Sequence, residues 1–176
     1  LVDTAPDLML AHNHVMKKFG YEERELSDIK KLAGGGSRAM LKKSIQAIAE
    51  LSGKIKKADE KMEEEMTKEF IDFYSKNINT QSKLISGVTE FLDWCKNNSI
   101  TMAVCTNKQE HLSIDLLKKI KIYHFFDYVA GGNTFNHNKP NPKHLTDTIE
   151  ILGGDVSKSL MVGDSETDSN ASKAAN

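Results

Sequence analysis

Cysteine is scarce in this chain: Cys95 and Cys105 are the two among 176 residues. A disulfide framework needs more of them in a shorter, secreted sequence, so two reduced, buried thiols are expected instead. Long hydrophobic runs are missing as well. The longest apolar stretch, Ile100 to Cys105, is interrupted by Thr101 and is far too short to cross a bilayer. Neither sign of charge is in excess. A net charge of -1 gives no reason to expect nucleic acid or a membrane as partner. No charged-then-apolar signal segment opens the sequence, and a cytoplasmic protein is expected. Repeats and low-complexity segments are absent too.

The composition that remains, 39% apolar and 28% charged, is that of a soluble globular protein, and the length suits one domain or a core with a small insert. Thr4-Ala5-Pro6-Asp7 reads as a helix start: Thr4 can cap, Pro6 suits the first turn and Asp7 favours the positive end. That helix should end near Phe19 at Gly20. Gly34-Gly35-Gly36 reads as a hinge or tight turn before a helix capped by Ser37, with Met40, Leu41, Ile45, Ile48 and Leu51 on one face. After Gly53, Met62, Met66, Phe70, Phe73, Tyr74 and Ile78 keep a 3.6-residue period. The Lys and Glu run at 54–69 reads as a solvated helix face. Residues up to about 80 are therefore expected to be helical.

The second half has another rhythm. Helical patterns at Val88–Cys95, Leu112–Ile120 and Pro142–Leu152 alternate with apolar strands expected at Ile100–Cys105, Phe126–Ala130 and Leu160–Val162. Alternation of this kind implies an α/β fold with a doubly wound parallel sheet. Ligands of such sheets bind beyond the carboxyl ends of the strands. Three segments follow those ends: Thr106-Asn107-Lys108, Gly131 to Lys139, and Gly163-Asp164-Ser165-Glu166-Thr167-Asp168. One sheet edge would thus gather hydroxyl and amide donors, a lysine and carboxylates. Carboxylates there suit Mg²⁺, and a lysine beside a hydroxyl suits a phosphate. Each residue also has a plainer role. Thr106 could cap a helix, Lys139 could sit in a surface loop, and Asp168 could favour a helix start. His12 and His14, two residues apart, fall on different helix faces and do not suggest a shared metal, and His137 reads as a loop histidine in solvent.

Strand-Thr106, Lys139-Pro140 and strand-Gly163-Asp164-x-x-x-Asp168, in this order, resemble the second, third and fourth motifs of haloacid-dehalogenase-type phosphatases. Leu1-Val2-Asp3-Thr4-Ala5-Pro6-Asp7 resembles the segment that trails their first motif, Asp-x-Asp-Gly-Thr. With Thr106-Asn107-Lys108 and Lys139-Pro140-Asn141-Pro142, it points to the phosphoglycolate phosphatase group. The resemblance implies a Rossmann-like core, residues 1–9 and 81–176, with an inserted helical cap, residues 10–80. It implies Mg²⁺-dependent hydrolysis of a small phosphorylated metabolite, 2-phosphoglycolate as the best single guess. Thr106 would hydrogen-bond the phosphoryl group beside Asn107, and Lys139 would neutralise nucleophile and phosphate. Asp164 would ligate the metal and Asp168 would support it, through water or through Lys139. Arg38, just past the glycine turn, is a candidate for a substrate carboxylate, with a solvated helix arginine as the plainer reading.

The first motif's two aspartates, nucleophile and general acid–base, would stand just upstream of Leu1, and Asp3 is not a substitute for either. On that reading residues 1–176 are a fragment of an active enzyme, inactive and poorly folded alone. A sugar phosphomutase of the same fold is the nearest alternative in chemistry. Gly163 before Asp164 favours the phosphatase, because the mutases resembled here carry an acidic residue there. A non-catalytic binding protein on the same fold is the alternative of another class.

Overall fold

The computed structural model describes residues 1–52 and 59–176, with no account of the side chains of Leu51 and Ser52. The part of the charged run at 54–58 lies outside the described residues. The chain divides into two units: Val2–Lys83, and Leu84–Asn176 together with Leu1.

The first unit is helical. Strand β1 (Val2–Asp3) leads into α1 (Ala5–Lys18), followed by α2 (Leu26–Leu32), α3 (Ser37–Ser52) and α4 (Glu60–Lys76). Thr4 holds the N-cap position of α1 without a side-chain cap bond. Asp3 supplies the acceptor instead, taking the Ala5 N–H on Oδ1 at 3.1 Å. Helix α4 is capped by Asp59, whose side chain accepts the Met62 N–H at 2.8 Å. Helix α1 packs on α2 and α4, and α3 on α2 and α4. Residues 2–9 belong to this unit, in which α1 packs on α4. The apolar stripes meet as their spacing requires: Ala11, Val15, Met16, Ile29, Met66 and Ile78 are fully buried, and Phe70 and Tyr74 nearly so. Burial of each larger side chain stabilises the fold by about 1.5–3 kcal/mol.

One carboxylate is buried among these helices. Asp7 accepts the Gln81 and Ser82 N–H groups, both at 2.8 Å, and the Ser82 hydroxyl at 2.5 Å. Its place in the first turn of α1 does suit the helix dipole, but its main work is to satisfy the backbone where the chain leaves α4. His12 and His14 go separate ways: His12 lies near Asn13 Oδ1 at 3.0 Å, and His14 meets Glu69 at 2.7 Å.

The second unit carries the parallel sheet. After β2 (Lys83–Leu84) come α5 (Val88–Asn97), β3 (Ala103–Cys105), α6 (Glu110–Lys119), β4 (Tyr128–Ala130), α7 (Lys143–Ile151) and α8 (Glu166–Ala175). Strands β3 and β4 pair in parallel with Ala103 opposite Tyr128 and Cys105 opposite Ala130. Both are shorter than their apolar runs. At the lower end the Asp127 carboxylate takes the Met102 N–H at 3.0 Å, so a side chain ends the ladder. Leu160–Val162 is not a strand as expected. No described residue pairs with its backbone, and Leu160 and Val162 stand 87% and 70% exposed. Among the described residues no helix is long and apolar enough to cross a membrane.

Candidate active site

The upper ends of β3 and β4 are tied together by the residues that follow them. Thr106 N–H donates to the Ala130 carbonyl at 2.9 Å, carrying the ladder one residue past β3. The chain then turns, and Thr106 Oγ1 accepts the Lys108 N–H at 3.1 Å. Gly132 N–H returns to the Lys108 carbonyl at 2.8 Å. Gly131 has to be glycine for close approach: a Cβ there would lie 2.2 Å from the backbone nitrogen of Glu110. A polar clamp completes the junction. Glu110 N–H donates to Asn133 Oδ1 at 2.8 Å, Thr134 donates its hydroxyl to the Glu110 carboxylate, and Gly131 N–H donates to Thr134 Oγ1 at 2.8 Å. Sequence reasoning did not find this clamp, although two glycines directly after a strand were a signal of close backbone approach.

Lys139 sits inside this framework, not in a solvent-facing loop, with 8% of its surface exposed. Its Nζ donates to the Cys105 carbonyl at 2.6 Å and to Asp168 Oδ1 at 2.5 Å. Its own carbonyl accepts from Asn107 Nδ2 at 2.9 Å. A buried ammonium is tolerable only when paired and hydrogen-bonded, and both conditions are met here. Asp168 is the third residue of α8 and shares a reciprocal cap with Ser165. Ser165 N–H and hydroxyl reach Asp168 Oδ2 at 3.0 and 2.6 Å. Burial pushes the Asp168 carboxyl up, but hydrogen bonds from Lys139 and Ser165 and the lysine's charge outweigh it and hold the carboxyl below its usual range. Gly163 is needed for this packing, since a Cβ on it would fall 2.5 Å from the Asp168 carboxyl carbon. Burial raises the neighbouring Cys105 thiol, and both cysteines are free.

The expected site residues therefore fall into three groups. Lys139 and Asp168 are in direct contact, and Thr106 and Asn107 hold the same junction of β3, β4 and the Lys139 loop. Asp164 is exposed and has no hydrogen-bond or ion-pair partner among the described residues. Arg38 lies in the first turn of α3, in the helical unit, with Nε 3.5 Å from Glu63 Oε2 and Nη2 3.8 Å from Glu60 Oε1. His137 is not in solvent; its Nε2 lies 2.8 Å from Asp147 Oδ2, close enough for an ion pair though angled away from a hydrogen bond. Among the described residues no three His, Cys, Asp or Glu side chains converge as a ready-made metal cage. A hard cation that keeps its waters and takes phosphate oxygens needs only one or two carboxylates, and the unpaired Asp164 fits as one of them.

The chain matches the family model of haloacid dehalogenase-like hydrolases over residues 1–176 and belongs to that family. Within it the sequence is similar to phosphoglycolate phosphatases. It is 34% identical to that of Mesorhizobium japonicum over 99% of this chain and 74% of the relative. It is 37% identical to that of Agrobacterium fabrum over 99% and 72%. Among solved structures, a predicted phosphoglycolate phosphatase from Haemophilus somnus 129pt superposes with a TM-score of 0.91 at 25% identity, covering 99% of this chain and 77% of the other. The same fold appears in a beta-phosphoglucomutase from Clostridium difficile, with a TM-score of 0.78 at 20% identity, covering 100% and 77%.

Proposed function

We propose that this hydrolase cleaves small phosphate monoesters with the help of Mg²⁺, and that 2-phosphoglycolate is its preferred substrate. The observation that carries the reading is the state of Lys139. An ammonium has three donors, and two of them meet the Cys105 carbonyl and Asp168. The third is left for a phosphate oxygen, on a group already desolvated and rigidly held. The charge of Lys139 would offset the repulsion between a phosphate dianion and an attacking carboxylate. Thr106 complements it. Because Oγ1 accepts the Lys108 N–H, its hydroxyl proton remains to be donated to a phosphoryl oxygen.

Asp164 would hold the Mg²⁺, which when bound supplies further neutralising charge. Asp168 plays a different part: both its oxygens are engaged, so it orients Lys139. In the helical unit, here read as the cap, Arg38 is the candidate for the substrate's carboxylate. Its pairs with Glu60 and Glu63 are long, Glu60 is largely exposed and Glu63 also pairs with Lys42 at 3.5 Å, so exchanging them for a substrate carboxylate would lose little.

Phosphate release from a panel of small monoesters by the enzyme that carries the first motif's aspartates, with Mg²⁺ and with chelator, tests the reading. The highest kcat/KM should fall on 2-phosphoglycolate, and chelator should abolish turnover. Release that is undiminished by chelator, or none from any monoester with Mg²⁺ present, would overturn it. Interconversion of sugar phosphate isomers without net phosphate release would assign the site to a mutase.

A further inference from the structure

His144 lies in the first turn of α7 and is fully buried. Its ring spans two main-chain carbonyls: Nε2 is 3.3 Å from the Ala130 oxygen, and Nδ1 is 3.3 Å from the His137 oxygen. Each carbonyl belongs to the framework of the phosphate site. The Ala130 oxygen also accepts the Thr106 N–H at 2.9 Å. His137 precedes Lys139 by two residues. Phe135 fixes the ring from the side, edge-on to His144 at 5.7 Å and stacked on His137 at 5.6 Å.

A neutral imidazole has one N–H and one lone pair, so it donates to one of these carbonyls and turns the other nitrogen toward an oxygen. Burial, reinforced by the charge of Lys139, outweighs the pull of the two carbonyls, holds the ring below the usual histidine range and so favours that neutral form. Packing alone would be served by any side chain of this volume. The placement of both nitrogens on carbonyls that flank Thr106 and Lys139 calls for another explanation.

We propose that His144 is a positioning residue for the phosphate site, a bracket between the Ala130 and His137 carbonyls, hydrogen-bonded to one and packed against the other, that sets the spacing of Thr106 and Lys139. The inference rests on the reading of those two side chains as phosphate-binding groups. It makes α7, which touches no substrate, a determinant of how well a transferring phosphoryl group is held.

The test compares Thr106→Ala, His144→Phe, His144→Gln and the Thr106→Ala/His144→Phe double variant of the enzyme. The probe is p-nitrophenyl phosphate with Mg²⁺, and thermal unfolding checks that each variant is folded. His144→Phe keeps the volume and loses the ring N–H and its hydrogen bond. Its kcat/KM should fall about tenfold, the scale of a lost buried hydrogen bond. His144→Gln, which keeps a donor, should recover to within about threefold of the parent. In the double variant the combined loss should be smaller than the product of the two single losses, because the two residues act as a unit. If Thr106→Ala leaves kcat/KM intact, the phosphate-site reading fails. If Thr106→Ala is impaired while folded His144→Phe matches the parent, or while the losses simply multiply, the role of His144 is overturned. A second measurement needs no substitution. Long-range ¹H–¹⁵N spectra of the unaltered protein should show a neutral His144 ring with one slowly exchanging N–H, and a freely exchanging ring would contradict the bracket.

Discussion

Both units bury an apolar core, but the α/β unit also encloses a lysine and an aspartate against each other. Among the helices, Val15, Met16, Ile29, Met66 and Ile78 are completely enclosed, as their 3.6-residue spacing dictates. In the α/β unit, Trp94, Ile151, Leu160 and Val162 are more than half exposed, while Lys139 and Asp168 are 8% and 7% exposed. Apolar spacing therefore accounts for the first unit almost entirely and for the second only in part. Burial near the strand ends follows hydrogen-bond satisfaction: a lysine is enclosed because a carboxylate and a carbonyl receive it. A region that spends desolvation on polar groups in this way is a region where chemistry is to be sought.

Substitutions can sharpen or break that contrast. Phe70→Ala, in the closed helical core, should show the largest loss, about 3–5 kcal/mol by urea unfolding. A loss near zero would mean that the helical core is not closed. Asp7→Ala comes next. It leaves the Gln81 and Ser82 N–H groups without their acceptor, and about 3 kcal/mol should disappear by the same measurement.

Asp168→Asn should remove about 2 kcal/mol at neutral pH and change the acid limb of the stability curve. The folded carboxyl is depressed. Its contribution is full above the unfolded value, about 3.9, and is lost as pH falls through the lower folded value. The parent should therefore lose more stability than the variant between about pH 5 and 2; equal acid limbs would show that the pair with Lys139 does not stabilise the fold. Leu160→Ser should be the mildest, within about 0.5 kcal/mol, since the side chain it alters is already in solvent.

The sequence disclosed helices better than strands, and side chains better than their partners. Helices α1, α3 and α4 were legible because several turns of regular spacing repeat one signal. Helix α2 was not: in its seven residues only Ile29 is buried, too little to form a period. Strands β1 and β2 have two residues each, shorter than any alternation can reveal. Leu160–Val162 has the composition of a strand, but composition cannot supply a pairing partner. In the site, position after a strand singled out Thr106, Lys139, Asp164 and Asp168. Nothing in the sequence showed that both oxygens of Asp168 are engaged while Asp164 stands unpaired. His144 escaped notice because its partners are main-chain carbonyls, which every residue presents alike, and Glu110 and Thr134 because they meet only when the fold brings together residues 24 apart.

The central claim is that these strand ends form a metal-assisted phosphate site, with Asp164 serving the metal and Thr106 the phosphoryl group. Steady-state phosphate release from 2-phosphoglycolate across a Mg²⁺ titration separates the two roles most directly. Asp164→Asn should lose most activity at low Mg²⁺ and regain part of it at high Mg²⁺. Thr106→Ala should lose a rate factor equivalent to about 1–3 kcal/mol that added metal does not restore. Full activity of Asp164→Asn in the presence of chelator would contradict the account.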